Sequence, residues 1–243
     1  MATSDEIHFF DLRCINGEEA WSMNTWKTRF VLNYKRLPYT TEWLEWHEIR
    51  PRIRECREDG PHTVPTIGLP NGQGWVTDSR VIVDELERLY PKPSLHLQSP
   101  CLVQVEDAFF KLLSASSGVW LPELPSKVMQ PGVAAEWRAH RQSVIGMTME
   151  EFKACRGGKS AWREAHPIIK DMTDLLEENP DGPFFMGTTV SYADFVWASL
   201  LIFFEFLMGT DSLEKLLELG GNAAKHRDLL RAVQPWMRTG SRI

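Results

Sequence analysis

The stretch from His62 to Ser79 constrains this chain more than any other, because its residue order dictates strand, turn, strand and helix start in immediate succession. Thr63 to Leu69 is a β-prone run, Asn71-Gly72 supplies the positive φ angles that a hairpin turn needs, and Trp75 to Thr77 returns as the partner strand. Asp78 and Ser79 then open a helix. Pro65 has no N–H to give to a ladder, so it marks an interrupted edge, and a cis bond at that point would leave the Val64 backbone free.

Upstream, Ile7 to Leu12 is a compact β-like run, followed by a polar loop from Arg13 to Ala20 and a helical pattern with Trp26, Phe30, Tyr34 and Leu37 on one face. Tyr39 to Leu44 is a second strand, and Glu48 to Arg57 is a charged short helix with Pro51 in its first turn. After the hairpin, Ile82, Leu86 and Leu89 recur at helical spacing until Pro91-Lys92-Pro93 stops the run. This order of elements resembles the thioredoxin-like fold. Pro91 to Pro100 is a proline-rich connector with no strand pattern beyond it, which predicts a first domain over 1–92, a linker over 93–100 and an all-helical domain over 101–243. Its helices are expected at Leu102–Leu113, Val133–Cys155 with a break inside it left open, Ala161–Glu178, Tyr192–Met208, Leu213–Leu219 and Asp228–Val233. The clearest apolar face there is Ala193, Val196, Trp197, Leu200, Leu201 and Phe204, at the three-four rhythm of a core stripe.

A formal charge of −6 argues against a general nucleic-acid binder, which needs a basic face, so the Arg50–Arg57 run reads as a solvated helix face. Cys14, Cys56, Cys101 and Cys155 lie far apart, indicating neither a disulfide framework nor a metal site and fitting a reducing compartment. The N-terminus shows no basic region followed by an apolar run, so the expected location is cytoplasmic. Phe195 to Met208 is shorter than the ~20 residues of a membrane span and carries Glu205, so it reads as a buried core helix.

Three separated pieces resemble the glutathione transferases: Val64-Pro65, where that family has a cis proline; Asp78-Ser79, its acidic-serine pair; and Ser191-Tyr192-Ala193-Asp194, its helix-capping box. The start of the first helix, Trp21-Ser22-Met23-Asn24-Thr25-Trp26-Lys27-Thr28-Arg29, continued by Leu32-Asn33-Tyr34-Lys35, is similar to the fungal-specific class A members, which are related to bacterial β-etherases. Those usually carry proline where this chain has Met23, a change that removes a pre-set φ angle at the helix entry.

The resemblance implies a thioredoxin-like glutathione-binding domain followed by an all-helical domain, in a homodimer without metal, acting on small aromatic or hydrophobic molecules with glutathione as co-substrate. The backbone of Val64 would pair with the cysteinyl part of glutathione. Ser79 and the helix N-terminus would take its γ-glutamyl carboxylate, and Asp78 its ammonium. Ser22 stands where the family keeps its catalytic hydroxyl. A thiol of pKa ~8.5 is only a few per cent ionised at neutral pH, and a donor hydroxyl beside a helix N-terminus favours the thiolate. Read alone, Ser22 is an N-cap; the other pieces favour the catalytic role. Asn24 near the sulfur and His62 near the glycyl carboxylate are further candidates, each equally readable as a surface residue. Cys14 is the rival nucleophile of a glutathione thiol transferase, although Ile15-Asn16-Gly17 after it signals a turn rather than a helix. Phe109, Phe110, Trp120 and Leu121 fall where the family builds the wall of its second-substrate site. A carrier of aromatic ligands without turnover is the alternative on the same fold.

Overall fold

The computed structural model describes residues 5–17 and 19–239, and its contacts divide into two units, one of them His96–Gln234 and the other the chain before and after it. The first unit is built from β1 (Ile7–Leu12), α1 (Met23–Tyr34), β2 (Tyr39–Leu44), α2 (Ile49–Cys56), β3 (Thr66–Gly68), β4 (Trp75–Thr77) and α3 (Ser79–Leu89). The sheet order is β2-β1-β3-β4, with β1 parallel to β2 and antiparallel to β3, and β3 antiparallel to β4.

β1 is central because its run of apolar residues has no face to give to solvent: Ile7, Phe9, Phe10 and Leu12 are all buried. Under one face Phe10, Leu44 and Ile53 form a core onto which Trp75 packs, its ring stacked on Phe10 at 5.3 Å. α1 is buried along most of its length, including Lys27 and Arg29. Arg29, fully buried, donates from Nη2 to Asp11 Oδ2 at 2.6 Å and from Nη1 to the Tyr39 hydroxyl at 3.1 Å. Lys35, just past α1, donates to Glu87 and to the carbonyls of Tyr90 and Pro93, tying the end of α1 to the end of α3.

Two sequence expectations change here. The strand predicted from Thr63 begins at Thr66, after a cis Val64–Pro65 bond. The hairpin closes through a wider loop, with Leu69 N–H donating to the Gly74 carbonyl, although Asn71 and Gly72 do carry the positive φ values of 57° and 72°. The chain's tail also joins this unit: Asn33 Nδ2 donates to the carbonyls of Trp236 and Arg238, and Arg29 Nη1 to that of Thr239.

The second unit holds α4 (Pro100–Ala115), α5 (Ser117–Trp120), α6 (Leu124–Val128), α7 (Pro131–Ile145), α8 (Met149–Arg156), α9 (Gly158–Glu177), α10 (Tyr192–Met208), α11 (Thr210–Glu218) and α12 (Ala223–Val233). The segment read as Val133–Cys155 is two helices, α7 and α8. Gly146 at φ +81° ends the first, and Thr148 with Glu151 caps the second by a reciprocal box. α10 is buried almost all round and packs on α4, α11 and α12, as a uniformly apolar helix must.

Its N-terminus is closed by the expected box, the Ser191 side chain accepting from the Asp194 N–H and the Asp194 carboxylate from the Ser191 N–H. Asp194 Oδ1 accepts from Phe185 N–H, and Oδ2 accepts from the N–H and the hydroxyl of Ser191. Further along, the Trp197 indole can only donate, so His226 Nδ1 accepts from it at 3.0 Å. His226 is therefore the Nε2–H tautomer and donates to Thr173 Oγ1 at 2.9 Å, and Thr173 in turn donates to the Ile169 carbonyl.

Burial pushes the His226 imidazole down to about 4 from 6.5. Its contribution to stability is thus complete above pH 6.5 and is lost as pH falls toward 4, because the unfolded chain takes up the proton first. Asp194 has the opposite sign: burial, outweighing its hydrogen bonds, pushes its carboxyl up to about 6 from 3.8, so its contribution falls as pH rises through that interval. Replacement of His226 by Gln keeps a polar partner but removes the titration. The stability advantage of the natural chain over His226→Gln, measured by urea unfolding, is expected to shrink by about 2 to 3 kcal/mol between pH 7 and pH 4. A constant difference would show that the imidazole is not held neutral.

Candidate functional site

Strand direction brings the motif residues together. β1 and β4 are each antiparallel to β3, so their C-terminal ends lie at the same sheet edge as the N-terminal end of β3. Phe10, Thr66 and Thr77 form one row across the three strands. The residues just before β3 and those just after β4 therefore meet beyond that row, and the Asp78 N–H donates to the Pro65 carbonyl at 3.2 Å. α1, which must run back along the sheet to begin the parallel strand β2, starts at this edge too.

Val64 is half-buried, and among the described residues neither its N–H nor its C=O has a hydrogen-bond partner. Asp78 sits at φ 84°, ψ 130°, a backbone conformation that costs a non-glycine residue about 1–3 kcal/mol and is concentrated at functional sites. Its Oδ1 caps α3, accepting from Arg80 N–H at 2.8 Å and Val81 N–H at 3.4 Å, while the residue stays exposed. Ser79, the first residue of α3, is 7 % exposed.

Ser22 occupies the N-cap position of α1 with extended backbone, and its carbonyl accepts from Trp26 N–H at 2.9 Å and from the Thr25 hydroxyl at 3.1 Å. Its hydroxyl makes no cap hydrogen bond, so the residue has the position of a cap without its bond. The loop before it is pinned by two indoles, Trp21 donating to the Arg13 carbonyl and Trp26 to the Ala20 carbonyl, each at 3.1 Å. Beyond Ser22, the first N–H groups of α1 form the positive end of the helix, and Met23 keeps an N–H that proline would lack. Asn24 is half-buried in the first turn.

His62 lies beside the end of α2, its Nε2 at 3.2 Å from the Arg57 carbonyl. That nitrogen must therefore donate, which leaves Nδ1 as an acceptor in the neutral ring; His62 could meet a carboxylate only when protonated. Cys14 is 2 % exposed in a tight turn, exchanging both backbone hydrogen bonds with Gly17, and does not start a helix. Of the residues expected to wall a second substrate, Phe109 is core at 1 % exposure, Phe110 is 64 % exposed, and Trp120 donates to the Leu113 carbonyl with its ring edge-on to Phe203.

Arg57, Thr66 and Thr77 are also at this edge, although the charged run that contains Arg57 predicts a solvated face for it. Arg57 Nη1 donates to Thr77 Oγ1 at 3.0 Å, and the two threonine hydroxyls are 2.8 Å apart. The pairing of two threonines in facing strands of the hairpin was the available signal. Among the described residues no cluster of three or more His, Cys, Asp or Glu could hold a metal ion, and no helix is long and apolar enough to cross a membrane.

Comparison with known proteins bears on the family and the fold. The family pattern described as glutathione S-transferase, N-terminal domain matches residues 21–89, and that described as glutathione S-transferase, C-terminal domain matches residues 105–236. The fold is similar to that of glutathione transferase GSTFuA3 from Phanerochaete chrysosporium, with a TM-score of 0.79 and 27 % identity over 97 % of this chain and 99 % of that one. It is similar as well to the glutathione S-transferase CsGST63524 of Ceriporiopsis subvermispora, solved in complex with glutathione, with a TM-score of 0.77 and 26 % identity over 96 % and 98 % of the two chains. The glutathione S-transferase-like protein ustS of Aspergillus flavus is 27 % identical over 221 residues, 80 % of this chain and 79 % of its own. A thioredoxin-like unit carrying these motifs at one sheet edge, an all-helical unit after it and family matches to both together mean that this chain belongs to the glutathione S-transferases.

Proposed function

We propose that this chain is a serine-type glutathione transferase in which the Ser22 hydroxyl stabilises the thiolate of bound glutathione for attack on aromatic electrophiles, β-aryl ethers of lignin type among them. The observation that carries this reading is a serine, 7 % exposed, whose hydroxyl makes no cap bond at the positive end of α1, on the sheet edge that also holds the unpaired Val64 backbone and the Asp78-Ser79 helix start. The bound glutathione of the Ceriporiopsis relative supports the ligand, and the likeness of the first-helix motif to the fungal class A members supports the ether substrate.

In this reading the cysteinyl backbone of glutathione adds to the Val64 N–H and C=O as a short antiparallel strand. The γ-glutamyl carboxylate meets the Ser79 hydroxyl and the free N–H groups of α3, and the ammonium meets the Asp78 oxygen that does not cap the helix. Ser22 Oγ donates to the sulfur, while the N–H groups of α1 add a positive potential. Both favour the thiolate over the thiol and lower its pKa. The thiolate then forms a carbon–sulfur bond as the carbon–oxygen bond of the ether breaks, and the aryl oxygen leaves as a phenolate that takes a proton from water. Cys14, buried in its turn, takes no part.

Two outcomes test this. Ser22→Ala is expected to lower turnover near pH 7 by about tenfold or more and to move the pH–rate profile alkaline, with little loss of melting temperature because no cap bond is removed. Cys14→Ser is expected to leave turnover intact. A silent Ser22→Ala beside an inactive Cys14→Ser would sink the serine mechanism. At Asp78, asparagine tolerates the positive φ and still caps α3, so Asp78→Asn isolates the charge. Calorimetry should show glutathione binding weaker by about 1 to 3 kcal/mol with the melting temperature held; unchanged binding would remove Asp78 from the site.

A further inference from the structure

We propose that Arg57 is a positioning residue of the glutathione site, acting through a one-way chain of hydroxyl hydrogen bonds that aims the Val64 N–H at its ligand. This rests on the glutathione reading above.

The direction of the chain follows from proton counting. Thr66 Oγ1 donates its single proton to the Thr63 carbonyl at 2.7 Å. In the 2.8 Å contact between Thr66 and Thr77, Thr77 must then be the donor. Having given its own proton away, Thr77 Oγ1 accepts from Arg57 Nη1 at 3.0 Å, and a guanidinium can only donate. The order is therefore Arg57 to Thr77 to Thr66 to the Thr63 carbonyl, and each threonine hydroxyl in it both gives and receives. Thr66 is 0 % and Thr77 4 % exposed, so neither hydroxyl has ready access to water as a substitute partner. Arg57 is braced at the start of the chain by Nε donating to the Asp59 carbonyl at 2.9 Å.

The far end of the chain carries the functional consequence. The Thr63 C=O and the Val64 N–H belong to one planar trans peptide, so they point in opposite directions. Drawing the Thr63 carbonyl inward onto Thr66 turns the Val64 N–H outward, which is the group that the cysteinyl backbone of glutathione would meet. The same chain fixes Thr77, the residue immediately before Asp78, and Asp78 N–H holds the Pro65 carbonyl. One relay therefore sets both halves of the ligand-binding edge, with the cation at its head strengthening the hydroxyl bonds behind it.

The test measures glutathione affinity by calorimetry, and KM for glutathione against kcat, for the natural chain and for Thr77→Val, Thr77→Ser and Arg57→Gln. Valine matches threonine in shape but has no hydroxyl. Thr77→Val is expected to raise both Kd and KM for glutathione about tenfold, with kcat at saturating glutathione and the pH–rate profile little moved, because Ser22 is untouched. Thr77→Ser, which restores the hydroxyl, should recover most of the affinity, and Arg57→Gln should weaken binding severalfold. Arg57 is only half-buried, so Arg57→Gln remains informative if Thr77→Val fails to fold. Natural affinity in Thr77→Val or Arg57→Gln, or no recovery in Thr77→Ser, would overturn the relay while leaving the glutathione site standing. A natural chain that does not bind glutathione at all would overturn that reading and the relay with it.

Discussion

The buried ion pair between Asp11 and Arg29 is the interaction on which the first unit depends. Both side chains are fully excluded from solvent, and the guanidinium lies over the rings of Phe9, Tyr39 and Trp43 at 5.0, 5.7 and 5.1 Å. Taking two charges out of water is costly, so the pair is retained only with excellent geometry and further partners. Asp11 has one in the Leu12 N–H; Arg29 has the Tyr39 hydroxyl and the Thr239 carbonyl. Those partners belong to β1, β2 and the chain's tail, so a single side chain on α1 locks the helix against both parallel strands. Removing either charge would leave the other buried and unpaired, at about 3–5 kcal/mol. Since Ser22 opens α1, the register of that helix on the sheet is also the register of the candidate catalytic hydroxyl.

The site itself is made where the fold departs from its own local rules. A strand edge stops short and leaves a backbone donor and acceptor unpaired at Val64; a non-glycine residue holds a positive φ at Asp78; a cap position at Ser22 carries no cap bond. Each departure is a stability cost unless a ligand or the surrounding structure answers it, and all three occur on one edge of the sheet. Behind them stands the paired row Phe10, Thr66 and Thr77 across three strands.

The helical unit solves a different problem. α10 is apolar over most of its surface, so it must be enclosed, and its N-terminal donors must be satisfied away from water. The Ser191 side chain does this for the Asp194 N–H while the Asp194 carboxylate holds the Ser191 and Phe185 N–H groups of the loop before it, and the Trp197–His226–Thr173 chain satisfies the polar atoms deeper in the packing between α9, α10 and α12. The two buried titratable groups shift in opposite directions, so their pH dependences oppose one another between about 4 and 6.

Local residue pattern alone placed β1 and β2 as short β-prone runs and α1, α3 and α10 by helical apolar spacing, since both are properties of neighbouring residues. It also marked Val64-Pro65 through proline's missing N–H, whereas Asp78-Ser79 and Ser22 stood out as site residues through the resemblance to the glutathione transferases. Tertiary structure decided what no local window contains. Strand direction brought those three pieces to one edge, and Pro65 delayed β3 to Thr66. Gly146 at positive φ and the Thr148 cap split a continuous helical pattern into α7 and α8. The partners of Arg29, Arg57 and His226 stand between 10 and 210 residues away for Arg29, 20 for Arg57 to Thr77, and 29 and 53 for His226. A buried charge or hydroxyl is satisfied by whichever group the packing brings within about 3 Å, and that group is chosen by the fold as a whole.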